Sequence, residues 1–167
     1  MKIFILTFSL LISLPLFAQT KIESQKFGTL QFVELDYGLA KVEEGISEKL
    51  EGTPTKTHGW LKDLMIIKVT DSIHIEEKAN FGVVYEVRAK DSVDINVDIE
   101  WIYPKTVKNE KGEKFKSIRY TTTRPTNTPS ASSYSLDAPY EMVPGTWVEN
   151  LYIENKLVHT RSFFLYK

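Results

Sequence analysis

Residues 93–101, VDINVDIEW, alternate apolar and polar side chains without a break. Val93, Ile95, Val97, Ile99 and Trp101 fall on one side, and Asp94, Asn96, Asp98 and Glu100 on the other. Side chains project to opposite faces of a strand with a period of two, so this run is a β-strand with one dry and one wet face.

The same rhythm recurs along the chain. In FGVVYEVRA, residues 81–89, Phe81, Val83, Tyr85, Val87 and Ala89 share a side. The intervening KDS at 90–92 reads as a tight turn, which predicts an antiparallel hairpin of 81–89 with 93–101. An early strand over 30–40 places Val33, Leu35, Tyr37 and Leu39 on one face. LMIIKV at 64–69 is a fuller apolar run, expected of a more buried strand. EKFKSIRYTTT at 113–123 alternates less cleanly. TWVENLYIE at 146–154 aligns Trp147, Leu151 and Ile153, with Glu149 the exception on that face. The last strand, KLVHTRSFFLYK, has two competing apolar phases, Phe163/Leu165 and Phe164/Tyr166, and Asn155-Lys156 is the expected turn before it. EEGISEKLEG at 43–52 hints at a helix but is short and bounded by glycine. Seven to eight strands with almost no helix predict an all-β fold: one immunoglobulin-like antiparallel β-sandwich, with a small barrel as the alternative. GTPTKTHGW at 52–60 and TTTRPTNTPSASS at 121–133 are rich in Gly, Pro, Ser and Thr and are expected to be loops.

The N-terminus has a different character. Lys2 precedes the apolar run IFILTFSLLISLPLF, and Ala18 precedes Gln19. That is the pattern of a secretory signal peptide over residues 1–18, cleaved after Ala18, leaving the sandwich at 19–167. The run is short for a membrane span of about 20 residues and lacks a basic flank after it. The chain has no cysteine, so an exported product would rely on its apolar core and not on disulfides or thiolate metal sites. A chain of this size can do so, burying about 68–70% of its unfolded surface. The charge is nearly balanced, with 21 basic and 22 acidic residues, and no basic block stands out. The electrostatic footprint of a nucleic-acid binder is missing. No membrane span is expected in the mature chain.

Residues 140–147, YEMVPGTW, pack a Pro-Gly pair, an acid and a tryptophan into one corner. Proline fixes its own φ and glycine accepts positive φ, so Pro144-Gly145 is expected to turn the chain and aim Trp147 into the core. Glu141 can fix such a corner by accepting loop amides; the competing use is a catalytic carboxylate, for which no partner acid or base lies nearby in sequence. This segment, PYEMVPGTW at 139–147, resembles the C-terminal signature of the bacterial family called domain of unknown function 3859. DYGL at 36–39, FGVVYEV at 81–87 and IEWIYP at 99–104 are similar to it as well, and the resemblance covers residues 34–166. The chain departs from the family in its Thr/Ser-rich stretch and its basic 105–116 segment. The resemblance implies a compact exported domain and carries no catalytic residues.

Chemistry-bearing motifs are sparse. His58, His74 and His159 are isolated, with no His-x-His or His-Glu-x-x-His spacing, so no metal site is expected. Asp94, Asp98 and Glu100 stand about 6–7 Å apart on a strand, which suits a solvated face paired with lysines such as Lys114 or Lys116 rather than a calcium site. No Gly-x-Ser-x-Gly, Ser-x-x-Lys or phosphate-loop pattern offers a nucleophile or a nucleotide cradle. Trp60, in a glycine-flanked stretch, is the aromatic candidate for a binding platform, with His58 beside it. Arg124 and Asn127 from 121–133 and Glu141 from the corner complete the candidate binding set. Asp71-Ser72-Ile73 and Asp91-Ser92-Val93 resemble a short O-glycosylation acceptor. These features predict an uncharacterised, periplasmic or secreted, non-catalytic binding or structural module of the bacterial envelope, with no cofactor and with an envelope protein or glycan as partner. A carbohydrate-active or other hydrolase using Glu141, and a subunit that assembles through an edge strand, are the alternatives.

Overall fold

A computed structural model describes residues 24–76 and 78–167; the signal peptide expected at 1–18 lies outside the described residues. The described chain is all-β apart from one 3₁₀ turn. Its strands are β1 (Ser24–Phe27), β2 (Leu30–Lys49), β3 (Thr57–Val69), β4 (Ser72–His74), β5 (Asn80–Arg88), β6 (Asp94–Lys108), β7 (Lys114–Pro125), β8 (Ser130–Ser135), β9 (Gly145–Ile153) and β10 (Lys156–Tyr166). One sheet runs β1-β2-β5-β8, with β3 also paired to β2; the other runs β4-β10-β9-β6-β7. Among the described residues only the short β4–β10 pair is parallel.

The dry faces meet in an aromatic core. Phe81, Trp101, Trp147, Phe163 and Leu165 have no exposed surface. Phe81 meets Trp101 edge-on at 5.5 Å between ring centroids, and Tyr134 meets Trp147 at 4.9 Å. Each core tryptophan is worth roughly 3–5 kcal/mol against alanine. The final strand resolves its two phases in favour of Phe163 and Leu165, leaving Phe164 and Tyr166 exposed.

The YEMVPGTW corner is held by its own polar groups. Pro139–Glu141 form the 3₁₀ turn. Glu141 accepts the Tyr134 hydroxyl at 2.6 Å and the amides of Asp137 at 3.2 Å and Ala138 at 3.1 Å. Gly145 has φ +125°, and a Cβ there would lie 2.8 Å from Pro104 Cβ, so the corner requires glycine. Trp147 then enters the core and donates its indole N–H to Val143 O at 2.9 Å.

Several expectations are corrected. The described residues form ten strands, not seven or eight. Runs 81–89 and 93–101 do not pair: β5 lies between β2 and β8, whereas β6 lies between β9 and β7 in the other sheet. The KDS segment is a crossing between sheets, and Val93 beside it is exposed. The helix hint at 43–52 is the end of β2. The expected loop at 52–60 is a turn over 52–56 and then the start of β3, whereas most of 121–133 is strand, with a turn at 126–129. Threonine is β-branched and suits a pleated, half-solvated surface, so a Thr-rich polar run can be an edge strand as readily as a loop. Asp98 and Glu100 find Arg119, Asn150 and Tyr152 across the sheet, not Lys114 or Lys116, because the β6–β7 register opposes Asp98 to Thr121 and Glu100 to Arg119. The last turn centres on Glu154-Asn155, both with positive φ, one residue earlier than expected.

Candidate functional site

β7 is an edge of one sheet and β8 an edge of the other, so the chain between them closes one end of an open seam in the sandwich. The turn at 126–129 is clamped from below. Thr126 N–H donates to Val93 O at 2.8 Å, and Thr126 Oγ1 accepts the Val93 amide at 2.9 Å. Asn127 adopts φ +58° and its side-chain oxygen accepts the Ala89 amide at 2.9 Å. Asn127 therefore fixes the turn and does not line the cleft beneath the neighbouring arm.

An arm covers the seam. β2 pairs with β5 only as far as Ala40, opposite Asn80, and then continues to Lys49 paired with β3 alone. The resulting hairpin extends past the sheet. Its tip is pinned to the opposite sheet and to the corner: Pro54 O accepts Asn109 Nδ2 at 3.2 Å and the Tyr140 hydroxyl at 3.4 Å, and Lys56 pairs with Glu113 at 3.1 Å. On the arm's inner side His58 lies 4.4 Å from the Tyr120 ring and meets Trp60 edge-on at 5.2 Å. The Arg124 guanidinium sits 5.6 Å from the Trp60 ring centroid, within cation–π range.

The arm, β7, β8 and the corner enclose a cleft of about 210 Å³, with Trp60, His58, Tyr120, Arg124 and Ser132 among its walls. Glu141 contributes to its far end. The structure thus brings together four of the residues singled out from sequence, His58, Trp60, Arg124 and Glu141, drawn from three separate stretches of chain. Glu141 is buried, which raises its carboxyl above the usual range despite the Tyr134 and amide hydrogen bonds. Burial, and next the Arg124 charge, hold the His58 imidazole below its usual value, which favours its neutral form.

Behind the cleft lies a polar cluster that sequence reasoning missed. Glu149 of β9 is fully buried, and neither carboxyl oxygen has a hydrogen-bond partner among the described residues. Burial pushes its carboxyl up to about 8; the Ser132 hydroxyl lies alongside, out of hydrogen-bond alignment, and lowers it only partly. Tyr85 Oη, Ser132 Oγ and Arg124 Nε are buried without a hydrogen bond of good geometry among the described residues, although Tyr85 Oη lies against the Arg124 guanidinium. Each such group costs about 1–3 kcal/mol in a folded interior, so a cluster of them calls for a reason beyond packing. The signal for Glu149 was visible as the one acid on the inward face of TWVENLYIE. Tyr85, Tyr120 and Ser132 had none, since only the sheet edges bring them together.

The remaining histidines lie in contrasting places. His159 is buried against Glu34 at 2.8 Å, whereas His74 is exposed. No group of three or more metal-ligating side chains occurs among the described residues. Ser72 and Ser92, of the two short acceptor-like tripeptides, are both exposed.

The family model for Domain of unknown function (DUF3859) matches residues 31–165. The chain belongs to this family. No curated protein matches it. Among solved structures, an immunoglobulin-like protein from Pseudomonas aeruginosa is similar, with a TM-score of 0.57 and 17% identity, over 89% of this chain and 100% of that one. At that identity the likeness is one of fold: this DUF3859 chain is an immunoglobulin-like sandwich. The alkylpurine DNA glycosylase AlkC from Pseudomonas fluorescens (14% identity, TM-score 0.39, 58% of this chain and 28% of that chain) and a β-glucosidase from Listeria innocua (6%, 0.38, 66% and 17%) resemble it too weakly to bear on fold or function.

Proposed function

We propose that this DUF3859 chain is an exported, non-catalytic binding module of the bacterial envelope, and that its arm-covered cleft takes a glycan. The observation that carries this reading is the wall of Trp60, His58 and Tyr120 held open to a cleft by the pinned arm. Flat aromatic faces accept the C–H face of a sugar ring, and aromatic side chains with a few polar groups are the usual lining of ligand sites. At about 210 Å³ the cleft is smaller than the ~300–1,000 Å³ of drug-sized sites, which suits a single ring rather than a long chain. Use of Glu141 as a hydrolytic acid is disfavoured, because both its oxygens are already engaged. The apolar leader supports export. Retention on immobilised cell-wall glycans tests the reading. The wild-type protein should be retained and Trp60→Ala should pass through; equal retention of both would place binding elsewhere.

A second reading rests on β3. It is paired on one side only, by β2, and exposes Met65, Ile67 and Val69 at 56%, 56% and 50%. An open, apolar edge is a template for adding a strand. Light scattering distinguishes it: a stable dimer that Ile67→Lys converts to monomer would support assembly through this edge.

A further inference from the structure

We propose that the cleft binds an acidic saccharide, with the sugar ring against Trp60 and Tyr120 and its carboxylate at Arg124. This deepens the glycan reading and rests on it. The residues at the Arg124 end are hydrogen-bond donors. Arg124 enters none of the ion pairs among the described residues and has a buried, unpartnered Nε–H. The Tyr85 hydroxyl adjoins the guanidinium from behind and does not line the cleft, whereas the Ser132 hydroxyl does line it and has no partner among the described residues. Glu149 lies behind Ser132, fully enclosed, and does not itself line the cleft; burial raises its carboxyl, which weakens any opposing charge. A carboxylate offers two oxygens and about four lone-pair sites, enough to accept from the Arg124 guanidinium and the Ser132 hydroxyl together. Charged hydrogen bonds are roughly twice as strong as neutral ones, and a guanidinium matches a carboxylate geometrically.

The other end of the cleft selects the orientation. Asp137 and Glu141 line it, and a carboxylate would be repelled there. Between the two ends the lining is rich in hydroxyls, from Thr55 and Thr57 of the arm region and Ser133 and Ser135 of β8. Such a lining matches the hydroxyls of a sugar better than the methylenes of an acidic amino-acid side chain. A bare carboxylate would use Arg124 and leave the aromatic wall idle.

Titration of the purified protein, followed by Trp60 fluorescence, tests this with three probes: glucuronate, glucose and acetate. Glucuronate should bind at least tenfold more tightly than either of the others. Arg124→Gln should erase the preference for glucuronate over glucose, and Arg124→Lys should keep part of it. The wild-type comparison decides alone if the variants misfold. Equal binding of glucuronate and glucose overturns the charge assignment while leaving the glycan reading intact. Equal binding of glucuronate and acetate overturns the role of the aromatic wall. No saturable response to glucuronate overturns the proposed site.

Discussion

Glu34 of β2 and Arg161 of β10 form an ion pair that joins the two sheets of the sandwich. Arg161 Nε donates to Glu34 Oε2 at 2.9 Å, and a second guanidinium nitrogen reaches Oε1. Arg161 also lies 3.9 Å over the Tyr37 ring, and His159 stacks on Phe32 at 4.8 Å. The carboxylate is 3% exposed, so it is satisfied from the protein.

Removing one partner of such a pair strands the other. Glu34→Ala should cost about 3 kcal/mol, the low end of the ~3–5 kcal/mol range for buried pairs, because the Arg161 side chain keeps 18% of its surface in solvent. Urea unfolding of the single and double variants measures it. Burial alone would raise the Glu34 carboxyl, but His159 and Arg161 outweigh that and hold it below its ordinary value. The pair's contribution is therefore present above the ordinary carboxylate range and lost as pH falls through the depressed folded value.

Glu149 acts in the opposite sense. Its folded carboxyl sits at about 8, so the folded state keeps a proton that the unfolded chain releases above its ordinary pKa of about 4.3. Stability from this group is full in acid and declines as pH rises to about 8, by on the order of 3 kcal/mol at pH 7. Glu149→Gln keeps the shape and removes the titration. Denaturant midpoints at pH 5 and pH 8 should differ markedly less in the variant than in the wild type, once the common background is subtracted.

Gly82 of β5 sets how closely β8 can approach. A Cβ there would run into the Ser132 carbonyl oxygen and come within 2.6 Å of Ser133 Cα. Gly82→Ala should cost about 1–3 kcal/mol through overpacking. It should also displace Ser132 and weaken ligand binding in the cleft, read by the fluorescence titration used for the acidic saccharide.

Trp60 is half-buried, whereas Trp101 and Trp147 are fully enclosed. Acrylamide should quench one of three tryptophan components, and Trp60→Phe should remove that component. Strong quenching that survives Trp60→Phe would show that a core indole is reachable.

The sandwich was legible because strand alternation reports burial directly. Val97, Ile99 and Trp101 lie inside, and Asp94, Asn96, Asp98 and Glu100 avoid full burial. Sheet membership was not legible. A five-residue link between β5 and β6 looks the same whether it turns back or crosses over, and it is tied down by Thr126 and Asn127, more than thirty residues away. The cleft was half legible. Trp60 and His58 stood out as an aromatic group among glycines, and Glu149 as a break in an apolar face. Their relation to Tyr120, Ser132 and Arg124 depends on the arm folding across the seam, a contact between segments far apart in sequence.

The placement of that arm is the central claim, and nuclear Overhauser contacts test it most directly. The His58 and Tyr120 rings are 4.4 Å apart between centroids, so their ring protons should give strong cross-peaks in the free protein. Core cross-peaks between Tyr134 and Trp147 without any between His58 and Tyr120 would mean that the arm does not cover the seam, and the site described here would not exist.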